Sequence, residues 1–175
     1  MTAVLWWIGV AGLVLALLIV AVWALRTANR LDRLHVRYDL SWQALDAALA
    51  RRAVVARAIA ADACGISPQG RRLVALALAA ERAPRWEREG SENELSTALA
   101  ELSTALTMDD PDAVPAALIT ELGEAESRVL LARRFHNDAV RDTLALREQR
   151  PVRWLRLGGH APLPTYFEIA EPAQR

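Results

Sequence analysis

The three histidines, His35, His136 and His160, are the first side chains to test for chemistry, and they fall in separate segments with no metal-ligand spacing among them. His136 lies on an apolar stripe, where a histidine is expected as a hydrogen-bonded core residue rather than a ligand. Glu121, Glu124 and Glu126 crowd one segment, but a di-iron helical bundle needs Glu-x-x-His pairs, and none accompanies them. Cys64 is the single cysteine, so it closes no disulfide within the chain and joins no thiolate cluster. A lone thiol fits a reducing compartment. No serine or cysteine has a partnered base in the sequence pattern. Gly158–Gly159 is too short to cradle a phosphate and precedes no helix. The doubled arginines Arg51–Arg52 and Arg133–Arg134 could hold an anion. On long helices such pairs are expected as solvated faces or rim ion pairs. The expectation is therefore no enzyme, with no catalytic residue, no cofactor, no metal and no small-molecule substrate.

The elements that would carry any other function are legible from composition and period. A chain of 175 residues has room for one ordinary domain and a short appendage. Its 21 basic and 21 acidic residues cancel, which argues against a nucleic-acid partner. Alanine and leucine dominate the 53% hydrophobic fraction, and β-branched residues thin out after the first segment, a helix-forming composition.

From Ala3 to Leu25 no residue is charged, and a run of about 20 apolar residues crosses the hydrocarbon core. Trp6 and Trp7 stand at one end and Trp23 at the other, where indole rings favour the headgroup interface. A cleaved secretory signal is the competing assignment. Against it, no Lys or Arg precedes the run, the run exceeds an h-region of about 7–15 residues, and no small-x-small cleavage site follows. Residues 1–25 are expected to be a transmembrane anchor, with the lipid bilayer as first partner. Arg26, Arg30, Arg33 and Arg37 follow the span, opposed by Asp32 and Asp39. By the positive-inside rule the N-terminus lies outside and everything after Leu25 is cytoplasmic, in a single-pass protein of the cell membrane.

Neither glycine nor proline occurs between Gly12 and Gly65, so nothing local stops the helix at the bilayer surface. Leu31, Leu34, Tyr38, Trp42, Leu45, Leu49, Ala56 and Ile59 continue at helical spacing, which predicts an extension of about 55 Å before Gly65 and Pro68 end it. A second helix is expected over Gln69–Arg82, ended by Pro84, with a charged connector at Arg85–Gly90. Ser91 and Glu94 match a capping box, predicting a third helix along Leu95, Leu99, Leu102 and Leu106. A turn follows at Met108–Asp112. The fourth helix is expected from Ala113 to Gln149, with Pro115 in its first turn and Pro151 beyond its end. The fold class is all-α: an N-terminal transmembrane helix continuing into an antiparallel up-and-down four-helix bundle over residues 26–150, then a tail over 151–175. A coiled-coil dimer through the first helix is the rival; the breaks at Pro68, Pro84 and Pro111 favour folding back.

Two groups of residues are interaction candidates. Leu131 and Phe135 are i,i+4 neighbours off the centre of the fourth helix's stripe, either the flank of a wide core or an exposed pair awaiting a partner. In the tail, Arg153, Trp154 and Arg156 sit among Val152, Leu155 and Leu157. They suit a membrane interface, provided the fourth helix runs back toward the bilayer. The alternative is that Trp154 and Leu157 cap the open end of the bundle.

The assembled residues resemble the LemA family of bacterial membrane-anchored proteins. The family's Trp-x-x-Ile-Asp-x-x-Leu-x-Arg-Arg stretch corresponds to Trp42, Leu45, Asp46, Leu49, Arg51 and Arg52, after an amphipathic start containing Asn29. An Asn-Glu-Leu pattern matches Asn93, Glu94 and Leu95. Glu126, Arg128, Ala132, Arg133, Asn137, Asp138, Ala139 and Val140 resemble the family's Glu-x-Arg…Ala-Arg…Asn-Asp-Ala-Val stretch. Pro164, Tyr166 and Phe167 match its Pro-x-Tyr-Phe tail. His136 stands where the family has a tyrosine, Thr143–Leu144 where a Tyr-Asn pair follows, and Arg57 where a proline follows the Arg-Arg pair. The resemblance implies an anchored antiparallel helical bundle without an assigned reaction. A non-enzymatic scaffold or assembly module on the cytoplasmic face of the membrane is the expected function, reached by self-association. An adaptor or regulator of another membrane protein, such as a protease or signalling receptor, is the alternative.

Overall fold

With no proline or glycine to interrupt it after Gly12, α1 runs unbroken from Thr2 to Ile59 and closes in a π-helical turn, Ala60–Cys64. The structure is a computed structural model and describes residues 2–64, 67–109, 114–159 and 161–169. Every regular element among them is helical: α1 is followed by α2 (Pro68–Arg82), α3 (Arg88–Asp109), α4 (Ala116–Arg147) and α5 (Arg150–Trp154). The N-terminal part of α1 is long and apolar enough to cross a membrane, and none of that apolar window is buried against the rest of the protein.

Local chemistry explains most boundaries. Ser67 caps α2 by accepting a hydrogen bond from the Gly70 N–H at 3.0 Å. Pro68 occupies the first turn, where its missing N–H costs nothing. Pro115 stands just ahead of α4, its carbonyl accepting from the Leu118 and Ile119 amides. Three boundaries differ from expectation. The third helix starts at Arg88, not at Ser91, and absorbs half of the expected connector. A turn closed by Glu87 N–H to Pro84 C=O already points the chain into the helix, and the Ser91 amide bonds to Glu87 C=O as an interior residue. Pro151 lies beyond the end of α4, as expected, but it sits in the first turn of α5, which begins after two intervening residues where a loop is expected. Met108 and Asp109 belong to α3 rather than to a turn; residues 110–113, the remainder of that turn and the expected start of α4, lie outside the described residues.

The chain forms two compact units: Met1–Asp39 with Ala139–Thr165, and Leu40–Asp138 with Tyr166–Arg175. In the second, Ala53, Ala56 and Ala60 pack on Leu73, Ala77 and Ala80 of α2 and on Leu95, Ala98 and Leu99 of α3. Small side chains at these contacts let helix axes approach closely. Leu45 and Leu49 pack on Val129 of α4 and on Phe167 and Ile169 of the tail. Each fully buried leucine contributes roughly 1.5–3 kcal/mol. Along α1 and α4 the partners run in opposite number order, Ser41 with His136 and Arg51 with Glu121. In the first unit, Leu31 meets Leu146 and Val152, with Leu34 and Leu157 beside them. Arg37 pairs with Asp142 at 3.0 Å.

Candidate functional site

Two of the three histidines have hydrogen-bond partners. His136 is fully buried and shares a 3.1 Å hydrogen bond through Nδ1 with the Ser41 hydroxyl, its ring edge-on to Trp42. His35 donates from Nδ1 to its own helix, at the Leu31 carbonyl, 2.9 Å away. His160 and the Cys64 side chain lie outside the described residues.

The doubled arginines split. Arg51 is exposed and pairs with Glu121, the rim ion pair expected of it. Arg52 is 3% exposed and donates 2.6 Å to Glu92, itself 0% exposed, which corrects its assignment to a solvated face. Its guanidinium also reaches the Ser96 hydroxyl at 3.0 Å and the Glu92 carbonyl at 3.2 Å. Arg88 completes the cluster, 3.3 Å from Glu92 and 2.8 Å from Asp46, and its Nη1 donates to the Glu81 and Ala83 carbonyls. Two guanidinium groups and two carboxylates thus join α1 to α3 and fasten the last carbonyls of α2. The sequence signal for Arg52 is its step of three past Leu49 and four before Ala56; Glu92, three before Leu95, carries the same one.

The tail is held by side chains that composition alone did not single out. The Asn137 amide grips Phe167 by both backbone groups, accepting its N–H at 2.9 Å and donating to its carbonyl at 3.1 Å. Arg133 donates to the Ile169 carbonyl and the Glu89 carboxylate accepts from the Glu168 N–H. Phe167 then lies edge-on to Trp42, over which the Arg85 guanidinium sits 4.0 Å from the ring centroid.

The interaction candidates are all exposed. Leu131 and Phe135 on α4 are 55% and 56% exposed, so they flank no core. In α5, Val152 is buried against Leu31 and Leu146, and Leu157 packs beside them. Trp154 does not join them: at 88% exposure it caps nothing. Arg153 and Arg156 are exposed and line an open cleft of about 480 Å3 together with Arg147, Val152, Gly158 and Gly159. Arg147 is fixed there by donating to the Ala161 and Pro162 carbonyls at 2.9 and 3.2 Å. A Cβ on Gly158 would stand 3.1 Å from Arg147 Nε, so glycine at that position leaves the guanidinium its path. Arg156 adopts a left-handed backbone, φ 50°, which costs a non-glycine residue roughly 1–2 kcal/mol.

Comparison with protein families, with curated proteins and with solved structures finds no match to this chain.

Proposed function

We propose that the chain is a membrane-anchored, non-enzymatic scaffold on the cytoplasmic face of the cell membrane, assembling with copies of itself. The apolar part of α1 is the anchor, and α1 to α4 form an antiparallel up-and-down four-helix bundle. The opposite number order of the α1 and α4 partners supports that topology. The observation that carries the functional reading is the exposed Leu131–Phe135 pair. Two large apolar side chains one helical turn apart form a patch that association would bury. A second copy is the occupant that suits it. Formal net charge is zero, so copies do not repel one another, and confinement to a membrane raises their effective concentration. The LemA resemblance belongs to this proposal and rests on the motifs around Trp42, Asn93, Asn137 and Phe167.

Single cysteines placed in a Cys64→Ser background test assembly and orientation together. Leu131→Cys or Phe135→Cys in native membranes is expected to form a disulfide-linked dimer on mild oxidation. Trp86→Cys, at a position 83% exposed, serves as the reference. It is expected to remain unlabelled by an impermeant maleimide in intact cells and to label after permeabilisation. Cross-linking at 131 and 135 no stronger than at 86 would refute self-association through α4, and labelling of intact cells would reverse the orientation.

A further inference from the structure

We infer that the α5 cleft is a binding site for the phosphate of anionic lipid headgroups, with Trp154 and Leu155 set into the interface of the bilayer that α1 crosses. The inference rests on the anchor reading of α1 and adds to it a second, peripheral membrane contact.

Height comes first. Within the first unit, Asp142 meets Arg37 and Leu146 meets Leu31, so α4 descends toward the apolar span as its numbers rise. Val152 of α5 packs on Leu31 as well, and Thr27 is buried. The rise from Leu25, the last residue of the apolar run, is about 3 Å to Thr27 and about 9 Å to Leu31. The headgroup zone is about 5–7 Å deep on each side of the hydrocarbon. The level of Leu31 and Val152 is therefore about 2–4 Å beyond the headgroup zone, within one long side chain's reach of it.

Chemistry follows. Arg147, Arg153 and Arg156 line the cleft, and no carboxylate lines it among the described residues. Neither Arg153 nor Arg156 has an ion-pair partner among those residues. Guanidinium forks match phosphate oxygens and keep their charge at any physiological pH. Trp154 is 88% exposed and Leu155 43%, an amphipathic ring and an aliphatic chain beside the cations. That combination is favoured where water meets acyl chains. Arg156 holds its strained backbone on the cleft wall, consistent with strain retained at a binding site.

The full chain labelled with 5-fluorotryptophan and reconstituted in lipid nanodiscs tests this, with each resonance assigned by Trp→Phe substitution. A gadolinium chelate on the lipid headgroup is expected to broaden both Trp154 and Trp23. Replacing neutral phosphatidylcholine by a mixture with phosphatidylglycerol is expected to shift Trp154, and Arg153→Gln with Arg156→Gln to abolish that shift while the other tryptophan signals stay in place. Trp23 broadened with Trp154 sharp would overturn the peripheral contact and leave the anchor standing. Both sharp would overturn the anchor and, with it, this site. An equal Trp154 shift from inorganic phosphate in neutral discs would make the cleft a free-anion site and overturn its assignment to lipid.

Discussion

Arg51 and Arg52 are adjacent, identical in type, and opposite in consequence. Arg51 faces solvent beside Glu121, where an exposed pair is worth about 0–1 kcal/mol. Arg52 and Glu92 are withdrawn from water, and their attraction offsets a desolvation cost that neither escapes alone. Removing one partner leaves the other charge buried and unmatched. Glu92→Gln is therefore expected to destabilise the protein by about 3–5 kcal/mol and Arg51→Gln by about 0–1 kcal/mol, read from urea unfolding followed by circular dichroism. Equal losses would contradict the burial difference. The split was legible in principle, since position 52 continues the three-and-four stepping of Leu45, Leu49, Ala56 and Ile59. Residue type hid it, because arginine on an apolar stripe is read as solvated unless its carboxylate partner, here on another helix, is known.

Elements were readable where their ends are set by local chemistry. α2 begins and ends within a residue of expectation because Ser67, Pro68 and Pro84 act on their own neighbours. α3 starts three residues before the expected Ser91 because the pattern of Ser91 and Glu94 is only local. The actual start depends on a turn at Pro84–Glu87 and on Arg88 fastening the end of the preceding helix. The tail is the same lesson at greater range. Phe167 and Ile169 are core residues, 2% and 8% exposed, although their segment is rich in proline and has no regular structure. Asn137 satisfies the backbone there, replacing the ladder partner a strand would have had. Asn137→Ala removes both bonds from a half-buried site, an expected cost of about 1–3 kcal/mol. Amide exchange is expected to accelerate over residues 161–169 while the helices keep their protection; unchanged exchange there would show that Phe167 is held by packing alone.

For the whole molecule, the helical class and the apolar span were plain from composition and period, because both depend only on residue type and repeat. The exposure of Leu131, Phe135 and Trp154 was not, because periodicity places a residue on a helix face without saying what lies opposite. The structure leaves all three open to solvent, and the first two form the patch proposed for self-association through α4. The most direct test is the mass of the full chain extracted with its native lipids into polymer-bounded discs, compared with the Leu131→Gln, Phe135→Gln double variant. Burying the 55% and 56% of these side chains that remain exposed is worth about 1.5–3 kcal/mol per copy. A single species at a multiple of 19.3 kDa is expected for the unaltered chain, and a monomer of unchanged helicity for the variant. A monomeric unaltered chain, or an assembly indifferent to both substitutions, would contradict self-association through α4.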